Sequence, residues 1–241
     1  MTLRNMIGTL LLICVVLAPA AFADEKVDAL EKEIAAKWKD INSMTAKMES
    51  VMDMEQQGMK MHHAMKGTME YLRKDDKMLS RMESETESDM DMGGQKQTMK
   101  STSLMVSDGE FMHTLSETMG QKMCVKMKAD PELIGNDAML KTLKEQNDLS
   151  MGDDETVNGD KCWVLISKAK QTQPGAPNKT CYYFRQKDGI AIQTIGYDDS
   201  GKKIMTSTLS DIKINQKIDP ARFEFKVPEG VQVMDMSNQH P

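Results

Sequence analysis

Methionine at every second position is the feature of this sequence that most restricts its fold. The chain has 25 methionines but only 5 phenylalanines, 2 tryptophans and 4 tyrosines. In one stretch, alternate positions hold Met59, Met61, His63, Met65, Gly67, Met69 and Tyr71. Alternate side chains of a β-strand point to the same face, so this period predicts a strand. The spacing of Met61, Met65 and Met69 also fits one face of a helix, which Gly67 and Thr68 disfavour.

The strand pattern extends over much of the chain. The two-residue period continues through residues 78–84 and 123–127 and predicts two more strands. Ser107-Asp108-Gly109 predicts a hairpin turn between strands at 102–106 and 110–115. Residues 87–96 contain Gly93-Gly94 and are predicted to form a loop. Beyond residue 147, short apolar runs between turn signals predict further strands.

Two segments have helical rather than strand periodicity. Residues 25–41 place apolar side chains at spacings of three and four, namely Val27, Leu30, Ile34, Trp38 and Ile41. Residues 130–146 open with a proline at position 131 and predict a second helix. A helix, a run of strands, a helical insertion and more strands give an α+β fold. No linker divides the chain, so a single domain is predicted for residues 24–241.

The first 23 residues have the features of a secretory signal peptide. Arg4 precedes an apolar stretch at 8–17 that is too short to span a bilayer, and Ala21-Phe22-Ala23 fits a cleavage site. We therefore expect cleavage after Ala23 and a periplasmic location for the rest of the chain.

Charge and motifs exclude several classes of function. Lys and Arg number 31 against 37 Asp and Glu, a formal charge of -6, so no basic excess supports nucleic-acid binding. Residues 196–202 match G-x-x-x-x-G-K, but Lys203 stands where a phosphate loop needs Ser or Thr. No hydrolase or zinc-protease motif occurs, and the sequence predicts no enzyme.

Cys124, Cys162 and Cys181 remain after removal of the signal peptide. Cys162 and Cys181 lie in predicted neighbouring strands, so we expect a disulfide between them in an oxidising compartment. Trp163 and Tyr182 would then be cross-strand neighbours on the other face. Cys124 is expected to stay reduced.

Methionine suggests two kinds of function. Thioethers with imidazole favour soft ions such as Cu(I) or Ag(I), and the candidate ligands are Met59, Met61, His62, His63 and Met65. However, same-face residues along one strand are about 6.6–7 Å apart, too far for two neighbours to share an ion without rearrangement. The other function is an apolar cavity, because flexible methionine side chains adapt to varied apolar shapes such as acyl chains.

The C-terminal third contains a series of short motifs in a fixed order. They are Asp188-Gly189, Tyr197-Asp198-Asp199-Ser200-Gly201-Lys202, residues 209–215, Ile218-Asp219-Pro220, Phe223-Glu224-Phe225 and Val227-Pro228-Glu229-Gly230-Val231. This order resembles the end of the LolA-like family of outer-membrane lipoprotein carrier and sorting proteins. The leading helix and the 67–71 strand also fall where that family has similar elements.

The resemblance implies a strongly curved antiparallel sheet, an incomplete barrel, with an N-terminal helix and a helical insertion covering its concave face. It implies a carrier without enzymatic activity or cofactor that binds acyl chains of lipids or lipoproteins. Its partners would include an inner-membrane releasing complex and an outer-membrane acceptor; a lipid-sensing envelope-stress regulator on the same fold is an alternative. We predict that helix 25–41 is the lid and that the cavity is lined by Ile34, Trp38, Met61, Met65, Met69, Met78, Met82, Met123 and Met127.

Overall fold

The structure is a computed structural model that describes residues 19–56, 58–75, 77–129, 136–172 and 174–237. The apolar part of the predicted signal peptide and the first residues of the predicted second helix, 130–135, lie outside this range. The helices are α1 (Pro19–Trp38) and α2 (Asn136–Gln146). The strands are β1 (Ser43–Gln56), β2 (Met59–Lys74), β3 (Lys77–Met92), β4 (Gln95–Ser107), β5 (Phe111–Thr118), β6 (Gln121–Lys128), β7 (Asn147–Met151), β8 (Glu155–Val157), β9 (Asp160–Ala169), β10 (Lys179–Arg185), β11 (Ala191–Tyr197), β12 (Lys203–Ile214) and β13 (Val233–Asp235).

The strands form one large sheet in the order β13-β6-β5-β4-β3-β2-β1-β12-β11-β10-β9-β7, with β8 also paired to β9. Neighbours run antiparallel except β13 and β6, which are parallel. The two edges, β13 and β7, are not joined. The predicted fold class is confirmed: an α+β protein with a curved antiparallel sheet that forms an incomplete barrel.

Long hairpins with short turns build the first half of the sheet. β3 continues to Met92 and β4 begins at Gln95, so the predicted loop at 87–96 is wrong. Gly93 and Gly94 both have positive φ, and the Gly94 N–H donates to the Asp91 carboxylate over 2.8 Å. Glycine takes this conformation without steric cost, so the chain reverses within two residues and pairing continues to the tip.

Both helices pack on one side of the second half of the sheet. Leu30 and Ile34 of α1 are buried with Leu140 of α2 against Leu165 and Phe184 of β9 and β10. The predicted first helix is confirmed, although α1 ends at Trp38 rather than at residue 41. The α1 apolar face is thus held by contacts with both the sheet and the second helix.

Side chains from the sheet complete the hydrogen bonds at the end of α1. Arg73 of β2 donates to the carbonyls of Trp38 and Lys39, over 3.4 and 3.1 Å. Asn215, which follows β12 and has positive φ, donates to the Asp40 carbonyl and accepts from the Asn42 N–H. These bonds satisfy carbonyls that a helix end leaves unpaired, and they fix α1 to the strands beside it.

The segment after β12 packs on the other side of the sheet. Asp219 accepts from the Ala221 N–H and begins a 3-10 turn, Pro220–Phe223. Phe223 is buried with Leu79 of β3 and Val106 of β4. The Ile218-Asp219-Pro220 and Phe223-Glu224-Phe225 motifs thus hold the chain end against the sheet.

The predicted disulfide is not present, because the strand register separates the two cysteines. Cys162 is opposite Arg185, and Cys181 is opposite Ile166. Cys124, Cys162 and Cys181 are all buried free thiols. The predicted Trp163–Tyr182 pair is also wrong, since Trp163 is opposite Phe184.

We expect Cys124, Cys162 and Cys181 to resist alkylation in the folded protein and all to react after denaturation without reductant. Burial shields each sulfur and raises each thiol pKa, so little reactive thiolate is present. Mass spectrometry of the labelled peptides measures this. A pair that reacts only after reduction would contradict the register described here.

We also expect Gly67→Ala to lower the free energy of unfolding by about 1–3 kcal/mol, the usual cost of overpacking. A Cβ at Gly67 would collide with the backbone oxygen of Glu83 and lie 3.1 Å from the Cβ of Ser84. Urea denaturation measures the change. Thr68→Ala, at the exposed neighbouring position, is the control and is expected to change stability much less.

Candidate functional site

The strand register places the methionines of β1–β6 on a single face of the sheet, which we call the methionine face. Met54 is opposite Met61, Met61 is opposite Met90, and Met69 is opposite Met82. Following the pairs outward gives the whole set as Met44, Met48, Met52, Met54, Met59, Met61, Met65, Met69, Met78, Met82, Met90, Met92, Met99, Met105, Met112, Met123 and Met127. Between residues 44 and 127 only Met119 is elsewhere, in the turn after β5.

The methionine face continues into the face that carries the helices. One row of paired residues runs from Leu165 through Tyr182 and Thr194, and on through Ser207 and Ser50 to Met65. Directly paired residues point to the same side of a sheet. The methionines therefore share the inner, helix-covered face of the incomplete barrel.

The helices cover only part of this inner face. In the described part of the chain, the helix contacts with the sheet are concentrated on β7, β9 and β10. The C-terminal end of α1 reaches the methionine face, where the Trp38 ring lies 5.4 Å from the Tyr71 ring. Most methionines of β1–β5 are half-buried rather than enclosed, so they line an open surface beside the helix.

A band of small side chains crosses the methionine face. From β2 to β5, one row holds only Gly67, Ser84, Ser103 and Ser116, and the next row holds Ser50, Thr86 and Ser101 with Met65 between Ser50 and Thr86. Met69, Met82 and Met105 form the row on one side of the band, and Met52, His63, Ser88 and Met99 form the row on the other. Small residues between larger ones create a groove that runs across the four strands from β2 to β5 and is about 14 Å long.

The residues predicted to line a cavity occupy different environments. Met61, Met65, Met69, Met78, Met82, Met123 and Met127 lie on the methionine face. Met69 and Met78 pack against the cluster around Trp38, and Met123 is 52% exposed. Ile34 is fully buried beneath α1 among the side chains that fix the helix to β9 and β10.

The residues predicted as metal ligands divide between the two faces. Met59, Met61, His63 and Met65 are on the methionine face. His62 points to the opposite face, where its Nδ1 lies 2.7 Å from the Asp53 carboxylate. Among the described residues, no group of three His, Cys, Asp or Glu side chains could hold a metal ion.

A cavity of about 1030 Å³ lies at the tips of the β1–β4 hairpins. Met54, Met61 and Met90 line it, together with the segment around Gly175 that connects β9 to β10. Met54 and Met90 are not among the ligand or cavity residues predicted from the sequence. Their position numbers indicate their face in the sequence. Each two-residue turn places the even positions of one strand on the same face as the odd positions of the next strand.

In β1–β6 the opposite face carries alternating charges and an apolar region around Leu79 and Val106. Lys47, Glu49 and Glu85 belong to the exposed charged part. The apolar part is covered by the C-terminal segment, where the Phe225 ring stacks on His113 with centroids 4.7 Å apart. Burial lowers the pKa of His113 below its ordinary value.

We expect stability to fall as the pH drops through about 6.5, the ordinary histidine pKa, towards the lowered pKa of folded His113. In that window the unfolded chain takes up the proton before the folded protein does, which favours unfolding. Above it, both states are neutral and the contribution to stability is complete. His113→Phe keeps the stacked ring and should flatten this part of the profile, measured as urea midpoints between pH 5 and 8. An unchanged slope would contradict the assignment.

Comparison with known proteins supports the fold. No family model matches the sequence, and no curated protein sequence matches it. An uncharacterised conserved protein from Thermus thermophilus matches with a TM-score of 0.54 and 11% identity, over 87% of this chain and 99% of that chain. A putative outer membrane lipoprotein-sorting protein domain from Vibrio parahaemolyticus matches at 0.35 and 10%, over 85% and 97%. A LolA superfamily protein from Nitrosomonas europaea matches at 0.32 and 8%, over 83% and 97%.

The Thermus thermophilus match shows similarity of fold alone. The fold that the resemblance implied is confirmed, because the structure has an open, curved antiparallel sheet with helices on its inner face. No helix within the described residues is both long enough and apolar enough to cross a membrane.

Proposed function

We propose that this protein binds an acyl chain of a lipid or lipoprotein in the groove of the methionine face and carries it through the periplasm. The observation that carries the proposal is that the strand methionines of β1–β6 share one half-buried face. Large apolar patches that remain accessible on a protein usually mark binding sites. Binding of this kind requires no catalytic step. Export of the protein and carriage of the ligand remain predictions from the sequence.

The shape of the methionine face suits a flexible apolar ligand. The band through Gly67, Ser84 and Ser103 forms the floor, and Met69 and Met105 belong to one wall. Unbranched thioether side chains can change rotamer to follow the bends of a bound chain at low cost. The groove runs across strands, so its length depends on the number of strands and not on one flexible loop.

Hydrophobic burial would provide most of the binding free energy. Each buried CH₂ contributes about 0.8 kcal/mol, which is roughly a fourfold change in affinity at 25 °C. Affinity should therefore rise with acyl chain length until the groove is filled.

Transfer between membranes would need an inner-membrane releasing complex and an outer-membrane acceptor, which are the partners we propose.

We expect the delipidated protein to bind a fluorescent fatty acid with micromolar affinity or better, and Met69→Asp to abolish binding by placing a charge in the wall. Because Met69 also packs against the core, Ser103→Leu provides a second variant that fills the floor without adding charge. Fluorescence titration measures the affinity, and thermal unfolding checks that each variant is folded.

Matched controls come from the opposite face. Val51→Asp and Thr102→Leu make the same kinds of change at exposed positions that point away from the groove, and both should bind like the unsubstituted protein. Absence of uptake by the delipidated protein would refute the proposal. Equal loss in Ser103→Leu and Thr102→Leu would place any binding outside the groove.

A further inference from the structure

Three methionines lie side by side on adjacent strands at the hairpin tips. Met54 of β1 is directly opposite Met61 of β2, which is directly opposite Met90 of β3. Directly opposed residues have Cβ atoms about 4.5–5.5 Å apart, closer than same-face neighbours along one strand. Each side chain has three rotatable bonds, so the three sulfurs can turn towards one point.

A histidine stands next to this row on the same face. His63 is two residues from Met61 on β2, and its row also contains Met52 and Met99. The Nδ1 of His63 is 2.7 Å from the Ser88 hydroxyl. A hydrogen bond at one ring nitrogen orients the ring and makes the other nitrogen, Nε2, the atom available as a ligand.

The three methionines open into the cavity of about 1030 Å³ at the hairpin tips. Its lining includes six carboxylates and only three lysines, so its charge favours the entry of cations. The carboxylates are Asp53, Glu55, Asp89, Asp91, Asp198 and Asp199. Asp53, Glu55, Asp89 and Asp91 point to the face opposite the methionines, so they act on an ion only through the negative potential at this end of the sheet, while the thioethers provide soft ligands.

We infer that Met54, Met61 and Met90, with His63 beside them, bind one soft monovalent ion, Cu(I) or Ag(I). Thioether and imidazole ligands select such ions over Mg²⁺ or Ca²⁺, which prefer oxygen. Pairing between strands brings the sulfurs closer than the spacing along a single strand. The inference is independent of lipid binding in the groove.

A second methionine row gives a matched control. Met69, Met82 and Met105 have the same spacing across three adjacent strands. Their neighbouring rows contain Gly67 and Ser84 on one side and Tyr71 and Ser80 on the other, without an imidazole. This row also lies outside the cavity lining.

The test uses Ag(I), which needs no reductant, in calorimetric titration of the purified protein, followed by Cu(I) in competition with a chromogenic chelator. We expect one tight ion per chain. The triple variant Met54→Leu, Met61→Leu, Met90→Leu should bind at least a hundredfold more weakly, and His63→Ala about tenfold more weakly.

The triple variant Met69→Leu, Met82→Leu, Met105→Leu should keep the affinity. Leucine preserves volume and apolar character, so thermal unfolding should change little in both triple variants.

Two results would contradict the proposed ion-binding site. Absence of stoichiometric Ag(I) binding refutes it directly. Equal weakening in the two triple variants would show diffuse binding over the methionine face. Absence of fatty-acid uptake with retained Ag(I) binding would contradict only the proposed carrier function. A failure of ion binding and a failure of lipid binding are therefore distinguishable.

Discussion

Antiparallel pairing from β1 to β6 is the constraint on which the rest of this structure depends. Pairing is continuous over the long hairpins β1–β2, β2–β3 and β3–β4, and two residues separate the strands in each. Such a turn fixes which residues are opposed, and a slip of one residue would move every side chain of a strand to the other face. The methionine face exists only because each of these registers is kept.

The sequence is consistent with this constraint at every strand. Methionines occupy even positions in β1, odd positions in β2, even positions in β3 and odd positions in β4. The positions between them are mostly charged or small, so a slip of one residue would replace the thioethers of the methionine face with charged side chains. Glycine is also required at position 67 of this band, since a Cβ there would collide with the backbone of β3.

Local patterns predicted the elements better than their long-range arrangement. The alternation from Met59 to Tyr71 and the spacing of Val27, Leu30 and Ile34 correctly predicted β2 and α1. The Cys162–Cys181 pairing was wrong because register depends on how many residues the β9–β10 connection uses, which no local period contains. The row of Met54, Met61 and Met90 was missed for a similar reason, because it is assembled from three strands.

The two faces of the sheet show which apolar surface is available to a ligand. On the charged face, Leu79 and Val106 are covered by Phe223 from the C-terminal segment of the same chain. On the inner face, helix α1 covers Leu165 and Phe184, and within the described part of the chain it meets the methionine face near Trp38. The chain thus covers its aliphatic and aromatic surfaces and leaves the thioether surface half-buried. A half-exposed surface of rigid leucine or valine would be similarly apolar, but it could neither change shape around an acyl chain nor offer sulfur to a soft ion. Methionine meets the requirements of both proposed roles at a surface that stays partly accessible.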